Sequence, residues 1–199
     1  MSRYEQTVEL IDHANSQDPN IEKDYDGSDV AKELLYGRRM ADMIERFAPD
    51  ADEVQRLSVR AQHIERWKSP RSDYPMDKKG YHLWRTKLYS FHAETLAKLM
   101  QQTGYSEEEI NRAIQAVGKK KLKSNADTQM LENVAALSFI EHYLLDFASK
   151  HPEYSEEKWI VIIQKTWQKM DEKAQQFALD GKVKLPESLI PLIQKALAA

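Results

Sequence analysis

The sequence predicts an all-α fold in one globular domain covering residues 1–199. Apolar residues recur at helical spacing along most of the chain, and no stretch alternates with a period of two for long. Only six glycines and seven prolines interrupt 199 residues, so long regular segments are expected. With 41% hydrophobic and 31% charged residues, the chain has the composition of a soluble, helix-rich protein of single-domain size.

Prolines, glycines and capping residues divide the chain into seven or eight predicted helices. These span residues 3–15, 28–47, 50–67, 79–103, 106–117, 126–149, 155–180 and a short terminal stretch from 186. Pro19 and Pro49 follow the first two helices, because the residue before a proline avoids the helical region. Ser106 and Glu109 form a capping-box pattern at the start of the fifth helix. Residues 20–27 are predicted to be a polar loop.

The helix predicted at residues 126–149 is apolar on nearly every side. This pattern is typical of a helix buried in the middle of its domain, so the other helices are expected to pack around it. It also carries Glu132, Glu141 and His142. Since an unpaired buried charge is costly, these residues are expected to be paired, to lie on a residual solvent-facing edge, or to have a function.

Composition excludes several classes of protein. With no cysteine, the chain has no disulfide, no thiolate metal site and no cysteine nucleophile. A net charge of −3 does not by itself predict a nucleic-acid-binding surface. The first predicted helix is acidic and unlike a signal peptide, and the longest apolar segment, residues 134–148, is too short to span a bilayer. We therefore expect a cytoplasmic protein with no membrane partner.

Residues 60–94 hold three of the six histidines and two of the four tryptophans. His63 and Trp67 share one face of the third predicted helix, and Arg85 and His92 share one face of the fourth. Because a short proline-containing loop joins the two helices, they are expected to pack as antiparallel neighbours. His63 and His92 would then lie close together.

Two imidazoles and one carboxylate would suit a divalent metal such as Zn, Mn or Fe. The expected ligands are His63, His92 and Glu132, and Glu94 or Glu65 would act as general base or orient the ligands. No His-Glu-x-x-His motif and no paired Glu-x-x-His motif occurs, which argues against a zincin and against a ferritin-like di-iron site. The alternative is that the two histidines are structural.

Arginine and aromatic residues cluster in the same stretch, although the whole chain is slightly acidic. The residues expected to bind an anionic substrate are Arg60, Arg66, Arg71, Arg85, Trp67, Tyr74 and Trp84. Arginine suits bidentate binding of phosphate or carboxylate, and an aromatic ring can stack on a base. The alternatives are structural salt bridges for the arginines and packing for the aromatics. The lysine run at 119–123 is predicted to be a solvated connector or a contact for phosphate.

Eight segments of the chain stand out together. They are Ile11-Asp12-x-Ala14-Asn15-x-x-Asp18-Pro19-Asn20, Glu33-Leu-Leu-Tyr36-Gly-x-Arg39-Met40, Arg60-Ala-Gln-His63-Ile-Glu65-Arg66-Trp67-x-x-Pro70-Arg71, Tyr74-Pro75, Gly80-Tyr81, Trp84-Arg85, His92-Ala-Glu94 and Lys165-Thr166-Trp167-x-Lys169-Met170. Taken jointly, over nearly the whole chain, they resemble domain-of-unknown-function family 4202. The resemblance implies no particular activity.

At the level of the fold, the chain is also similar to the HD-domain phosphohydrolases. Those all-α enzymes bind metal through a histidine, a His-Asp pair and a later aspartate, and here His63, His92 and Glu132 occur in that order. The chain departs from the pattern at Ala93, where the analogy has aspartate, and at Asn133, where it has a second acid. The similarity implies a metal-dependent hydrolase of a phosphorylated or nucleotide-like small molecule.

Three functional hypotheses remain open. The first is the HD-like, metal-dependent hydrolase. The second is a non-catalytic module that binds RNA or a nucleotide through the same arginines and aromatics, so the partner is either a small anionic ligand or a nucleic acid. The third makes the whole cluster an intramolecular, structural network. The sequence does not predict an oligomeric state.

Overall fold

The structure, a computed structural model, describes residues 1–198. Across these residues the fold consists of ten α-helices and one short β-hairpin, so the all-α prediction is confirmed. The strands are β1 (Ile21–Lys23) and β2 (Asp29–Ala31). The helices are α1 (Arg3–Ser16), α2 (Lys32–Phe47), α3 (Glu53–Arg60), α4 (Lys78–Gln102), α5 (Glu107–Val117), α6 (Ala126–Ser138), α7 (Leu144–Ser149), α8 (Glu156–Trp167), α9 (Glu172–Leu179) and α10 (Ile190–Ala198).

Contacts along the backbone divide the chain into two compact units, Met1–Leu131 and Glu132–Ala199. The expectation of a single domain over residues 1–199 therefore stays a prediction, and so does the HD-like analogy. Within the described chain, no helix has both the length and the apolar character that crossing a membrane requires.

Three helices of the first unit begin at a capping box. The side chains of Ser2, Asp52 and Ser106 each accept a hydrogen bond from the backbone amide three residues later, and the side chain of that later residue bonds back to the capping amide. Each cap satisfies amide groups that have no partner inside the helix and is worth about 1 kcal/mol. The capping box predicted at residues 106–109 is confirmed.

Strand β1 lies in the segment predicted to be a polar loop, whereas β2 lies where the second helix was predicted to begin, so that prediction is wrong at its start and α2 begins at Lys32. The two strands pair antiparallel with Ile21 opposite Ala31, and Gly27 turns the chain between them with a φ of 85°. Strands of three residues are too short to show an alternating pattern, which explains why they were not predicted. The buried guanidinium of Arg39 on α2 pairs with Glu22 at 2.9 Å and fastens the hairpin to the helix.

The predicted third helix is wrong at its C-terminal end. Helix α3 stops at Arg60 instead of Trp67, and the chain continues through turns to Glu65, whose φ is 55°. Glu65 lies beyond the end of α3, and its left-handed conformation, which carries a cost of roughly 1–2 kcal/mol, prevents a continuous helix to Trp67. A single 3-10 turn, Arg66–Lys68, follows.

The extent of the helix predicted at 126–149 is confirmed, with α6 and α7 joined by a π-helical turn at Phe139–Tyr143. The helix predicted at 155–180 is instead divided into α8 and α9. Asp171 caps α9, and Asn133 both donates to its carboxylate and accepts from its amide. These two breaks explain why ten helices form where seven or eight were predicted.

Candidate functional site

The site is built on the first turn of α2. The N-cap residue of this helix, Ala31, has no side chain that can cap it, and Asp18 from the preceding loop accepts the amide of Glu33 at 3.1 Å instead. Farther along α2, a Cβ on Gly37 would lie 3.0 Å from the carbonyl oxygen of Arg60. The absence of a side chain at Gly37 therefore lets α2 pack closely against the end of α3.

Helix α1 holds the segment that follows α3. The Asp12 carboxylate accepts two hydrogen bonds from the Arg60 guanidinium, at 2.7 and 2.6 Å. The buried side chain of Asn15 accepts the backbone amide of Glu65 at 3.0 Å and so supports the left-handed turn. Arg60 therefore has a structural partner, and the polar residues of α1 position the chain that carries His63.

The imidazole of His63 lies between the carboxylate of Glu33 and the guanidinium of Arg66. Its Nε2 atom is 2.9 Å from Nη1 of Arg66, and a guanidinium can only donate, so Nε2 accepts. The proton of the neutral ring is then on Nδ1, which faces Oε2 of Glu33 at 3.5 Å. Tyr36 stacks on the imidazole at 4.1 Å between ring centroids, and its hydroxyl donates to Gln62. Both nitrogens and one face of the His63 ring are thus engaged.

His92 on α4 lies beside His63, with 6.0 Å between the ring centroids. Its Nδ1 atom donates to the carbonyl oxygen of Ile64 at 2.7 Å, which leaves the lone pair on Nε2. The residue is only 2% exposed, and Nε2 has no hydrogen-bond partner among residues 1–198. The expected proximity of the two histidines is present in the structure.

The pKa values of Glu33, His63 and His92 are shifted by burial and by neighbouring charges. Burial raises the pKa of Glu33 to about 7, although the charge of Arg66 acts in the opposite direction. Burial, followed by the charge of Arg66, lowers the pKa of His63 well below its usual value. Burial and the neighbouring His63 lower the pKa of His92 to about 3. At neutral pH both imidazoles are uncharged, and Glu33 is present in both its protonated and its ionised form.

Several cationic side chains act on His63. The charges of Arg66, Lys119 and Arg85 all act on His63. Arg85 is held by the hydroxyl groups of Tyr81 and Tyr89, whose ring also contacts Lys119 at 5.8 Å. Within residues 1–198, neither Arg66 nor Arg85 has a carboxylate at ion-pair distance. The positive charges of Arg66 and Arg85, which lack a carboxylate partner in the described part of the chain, suit an anionic ligand.

Other residues expected in the site organise the loop before α4. Arg71 donates to the carbonyl oxygens of Tyr74, Pro75 and Asp77. The indole of Trp84 donates to Ser69, and the guanidinium groups of Arg66 and Arg71 lie 5.1 and 6.0 Å from its ring centre.

The remaining predicted residues lie in other environments. Trp67 and Tyr74 are both half-buried. Glu94 is exposed on α4, and the carboxylate of Glu65 pairs with Lys68. Glu132 is buried in the part of α6 that opens the second unit.

The contacts of the two histidines bear on the expected metal site. His63 has no lone pair to offer, because Arg66 donates to Nε2 and Nδ1 carries the proton. His92 has one free lone pair. Within the described chain, no three histidine, aspartate or glutamate side chains are placed to hold a metal ion. The local contacts of His63 therefore do not fit a metal ligand.

Glu33 was not predicted from the sequence. Helical spacing relates residues three or four apart, whereas Glu33 and His63 meet across 30 positions of the chain. An acid in the first turn of a helix is usually explained by the helix dipole. The signal that could have identified it is the set Glu33, Tyr36 and Gly37 on one helix face within a conspicuous segment.

Comparison with known proteins gives one match. The family described as "Domain of unknown function (DUF4202)" matches residues 5–193. No curated protein and no solved structure matches the chain.

Proposed function

Because the chain belongs to the DUF4202 family, whose description names no activity, we propose a function from the site itself. The protein is a hydrolase of a small phosphorylated or nucleotide-like substrate, acting through the group formed by Glu33, His63 and His92. Such a substrate agrees with the cytoplasmic location expected from the sequence.

The observation that carries the proposal is a pair of guanidinium groups, those of Arg66 and Arg85, whose charges act on the imidazole of His63. Arg66 and Arg85 have no carboxylate at ion-pair distance within residues 1–198, and the charge of Lys119 also reaches the imidazole of His63. Guanidinium groups suit a phosphate because they offer several donors in a fixed plane. A phosphate bound here would replace water around charges that otherwise repel one another.

Glu33 is the group whose pKa suits proton transfer at neutral pH. General acid–base catalysis is most effective when the pKa of the catalytic group lies near the working pH. In the proposed reaction a water oxygen bonds to phosphorus while the ester P–O bond breaks. The water proton passes to Glu33, which then protonates the leaving oxygen. The Nδ1 proton of His63 faces the Glu33 carboxylate at 3.5 Å, so the role proposed for His63 is that of a positioning residue.

The residues first expected to act as the base are less well placed for this role. Glu94 faces solvent, and the carboxylate of Glu65 is paired with Lys68. We therefore assign the base to Glu33.

No step of this reaction passes through a metal. A Zn, Mn or Fe ion bound by His63, His92 and Glu132 stays a prediction, and metal analysis of protein purified without chelator tests it directly. Stoichiometric metal that is lost together with activity on adding chelator would favour the metal-dependent reaction over the one proposed here.

Nucleic-acid binding is less well supported. Trp84 was expected to stack on a base, but the guanidinium groups of Arg66 and Arg71 lie against its ring and its indole N–H is bonded to Ser69. The arginines also differ in role, since Arg60 and Arg71 make the intramolecular contacts that the structural hypothesis predicts.

The test combines binding and turnover. Thermal stability is measured with inorganic phosphate, pyrophosphate and AMP, and phosphate release is measured from p-nitrophenyl phosphate and AMP. R66Q and R85Q should weaken binding roughly 10-fold or more, because each removes a charge-assisted contact. K87Q, which changes an exposed cation on the same helix as Arg85, is the matched control. No stabilisation by any of these anions, together with no phosphate release, would overturn the proposal.

A further inference from the structure

We propose that the unpaired Nε2 atom of His92 accepts a hydrogen bond from the water molecule that attacks the substrate. This inference rests on the proposed hydrolase function and adds the group that holds the nucleophile. His92 is then a catalytic residue, since it touches a reacting molecule.

The tautomer of His92 is determined by its backbone contact. The carbonyl oxygen of Ile64 can only accept, so the 2.7 Å contact places the proton on Nδ1. Nε2 is therefore a lone-pair acceptor that points away from this contact. Its ring is 2% exposed, and within residues 1–198 no side chain or backbone group donates to Nε2.

Such an atom is uncommon in a folded protein. Most buried polar side-chain atoms are hydrogen-bonded, and leaving one unsatisfied costs on the order of 1–3 kcal/mol. A purely structural role would be served by the Nδ1 contact alone, for which an asparagine at this position would suffice. The acceptor at Nε2 therefore indicates a donor that is not part of the chain.

The neighbouring groups indicate what that donor is. The charge of Glu33 acts on His92, and the His63 ring lies 6.0 Å from the His92 ring. His63 directs its only proton towards Glu33, so it has none left for His92. Water is a small molecule that can donate one hydrogen to His92 Nε2 and the other to a second acceptor, and the carboxylate of Glu33 is the acceptor proposed here.

This arrangement determines how protons move during the reaction. The water donates one hydrogen to His92 and the other to Glu33, which leaves an oxygen lone pair to attack phosphorus. As the new P–O bond forms and the ester P–O bond breaks, one proton passes to Glu33 and then to the leaving oxygen. The other hydrogen stays on the attacking oxygen, now part of the phosphate product, still bonded to His92.

The inference is tested by removing only the acceptor. In H92N, the asparagine amide nitrogen takes the place of Nδ1 and can still donate to Ile64, while Nε2 is lost. We expect H92N to fold as stably as the wild type and to bind inorganic phosphate equally well. Its kcat for p-nitrophenyl phosphate should fall roughly 100-fold, the scale of a lost acid–base contact. H82N, at an exposed histidine of the same helix, should leave kcat unchanged.

A second measurement does not depend on the stability of any variant or on turnover. Nitrogen NMR of wild-type protein labelled at histidine distinguishes a protonated ring nitrogen, a free lone pair and a hydrogen-bonded lone pair. We expect the His92 Nε2 resonance to have the hydrogen-bonded position in buffer without phosphate or metal, and to change when inorganic phosphate is added. A free lone pair, a protonated Nε2 or a resonance that responds to chelator would overturn the inference.

The two proposals fail in different ways. Failure of the hydrolase proposal would appear as no stabilisation of the wild type by phosphate, pyrophosphate or AMP and no release of phosphate. Failure of the His92 inference alone would appear as an H92N variant that hydrolyses p-nitrophenyl phosphate at the wild-type rate.

Discussion

At the residue scale, the buried carboxyl group of Glu33 has a free-energy cost when it ionises. The residue is 5% exposed, and burial raises the pKa of its carboxyl group to about 7. A group whose pKa is higher in the folded state than in the unfolded state binds its proton more tightly when folded. Its ionisation therefore opposes folding, and a glutamine of the same shape would avoid that cost. The retention of an acid here is consistent with a chemical role.

We predict that E33Q changes how stability depends on pH. The wild type should lose stability as pH rises from the ordinary glutamate pKa, about 4.5, through about 7, whereas E33Q cannot ionise there. The difference should reach the order of 1–3 kcal/mol in favour of E33Q at pH 8. Urea unfolding at pH 5, 6, 7 and 8 measures it. E94Q, at an exposed glutamate, is the control, and parallel curves for E33Q and the wild type would contradict the prediction.

Sequence reasoning at this scale identified part of the site. The proximity of His63 and His92 was predicted from two helices joined by a short loop, although His63 lies in the turns that follow α3. The Glu33 contact was not predicted, since it depends on how α2 approaches α3 at Gly37. The sequence also did not predict that Arg60 makes a structural ion pair while Arg66 faces His63. The partner of Arg60 is Asp12, which lies 48 residues away in the chain.

At the scale of elements, the first turn of α4 packs against the loop before it. A Cβ built on Gly80 would lie 2.0 Å from the carbonyl oxygen of Pro75. Asp77 caps the helix by accepting the amide of Gly80 at 2.6 Å. Glycine at this position therefore allows the loop and the helix start to occupy adjacent space.

We predict that G80A displaces this loop although alanine favours helix formation. The clash is with backbone, so Pro75 and its neighbours must move and the contacts of Arg71 with the loop carbonyls should weaken. Hydrogen exchange should increase at residues 70–77. K79A, an exposed change one residue away, should leave exchange unchanged, and unaltered protection in G80A would refute the predicted displacement.

In the second unit, the link between α6 and α9 depends on one asparagine. Asn133 is 1% exposed, donates to the Asp171 carboxylate at 2.8 Å and accepts the Asp171 amide at 3.0 Å. We predict that N133A destabilises the protein by about 1–3 kcal/mol, because it leaves both groups of Asp171 without these partners. Chemical denaturation measures the loss. D146A, which removes only an exposed pair with Lys150, should cost far less, and equal losses would show that burial does not determine the effect.

Helix starts were predictable because capping residues are local, as at residues 106–109. Two other boundaries were not. The end of α3 contains neither glycine nor proline, and the left-handed conformation of Glu65 is supported by Asn15 of α1. Likewise, the division of α8 from α9 is supported by Asn133, which is 38 residues from Asp171. In both cases a distant side chain makes a hydrogen bond that propensity cannot reveal.

At the scale of the molecule, the distribution of charge matters more than its sum. The chain carries a net charge of −3, yet Arg66, Arg85 and Lys119 all act on one histidine of the first unit. Total composition could not reveal this, because most acids are paired or exposed elsewhere. A bound anion should therefore stabilise the unit that contains the cluster.

We predict that pyrophosphate raises the melting temperature of the wild-type protein. At a concentration 100 times its dissociation constant, the linkage relation gives about 2.7 kcal/mol, or roughly 5–10 °C for a chain of this size. Scanning calorimetry measures the shift, which should shrink with added NaCl because salt screens the cluster. An equal shift in the R66Q/R85Q double variant would show that pyrophosphate binds elsewhere.

The position of Trp84 has an optical consequence. Its indole lies against the guanidinium groups of Arg66 and Arg71, and a cation near an aromatic ring interacts with the π electrons that absorb and emit light. A ligand that draws Arg66 away from this ring would therefore change the fluorescence of a single residue. With phenylalanine in place of Trp67, Trp159 and Trp167, Trp84 would be the only tryptophan in the protein. Its fluorescence, followed by stopped-flow, would then report ligand binding before any product forms.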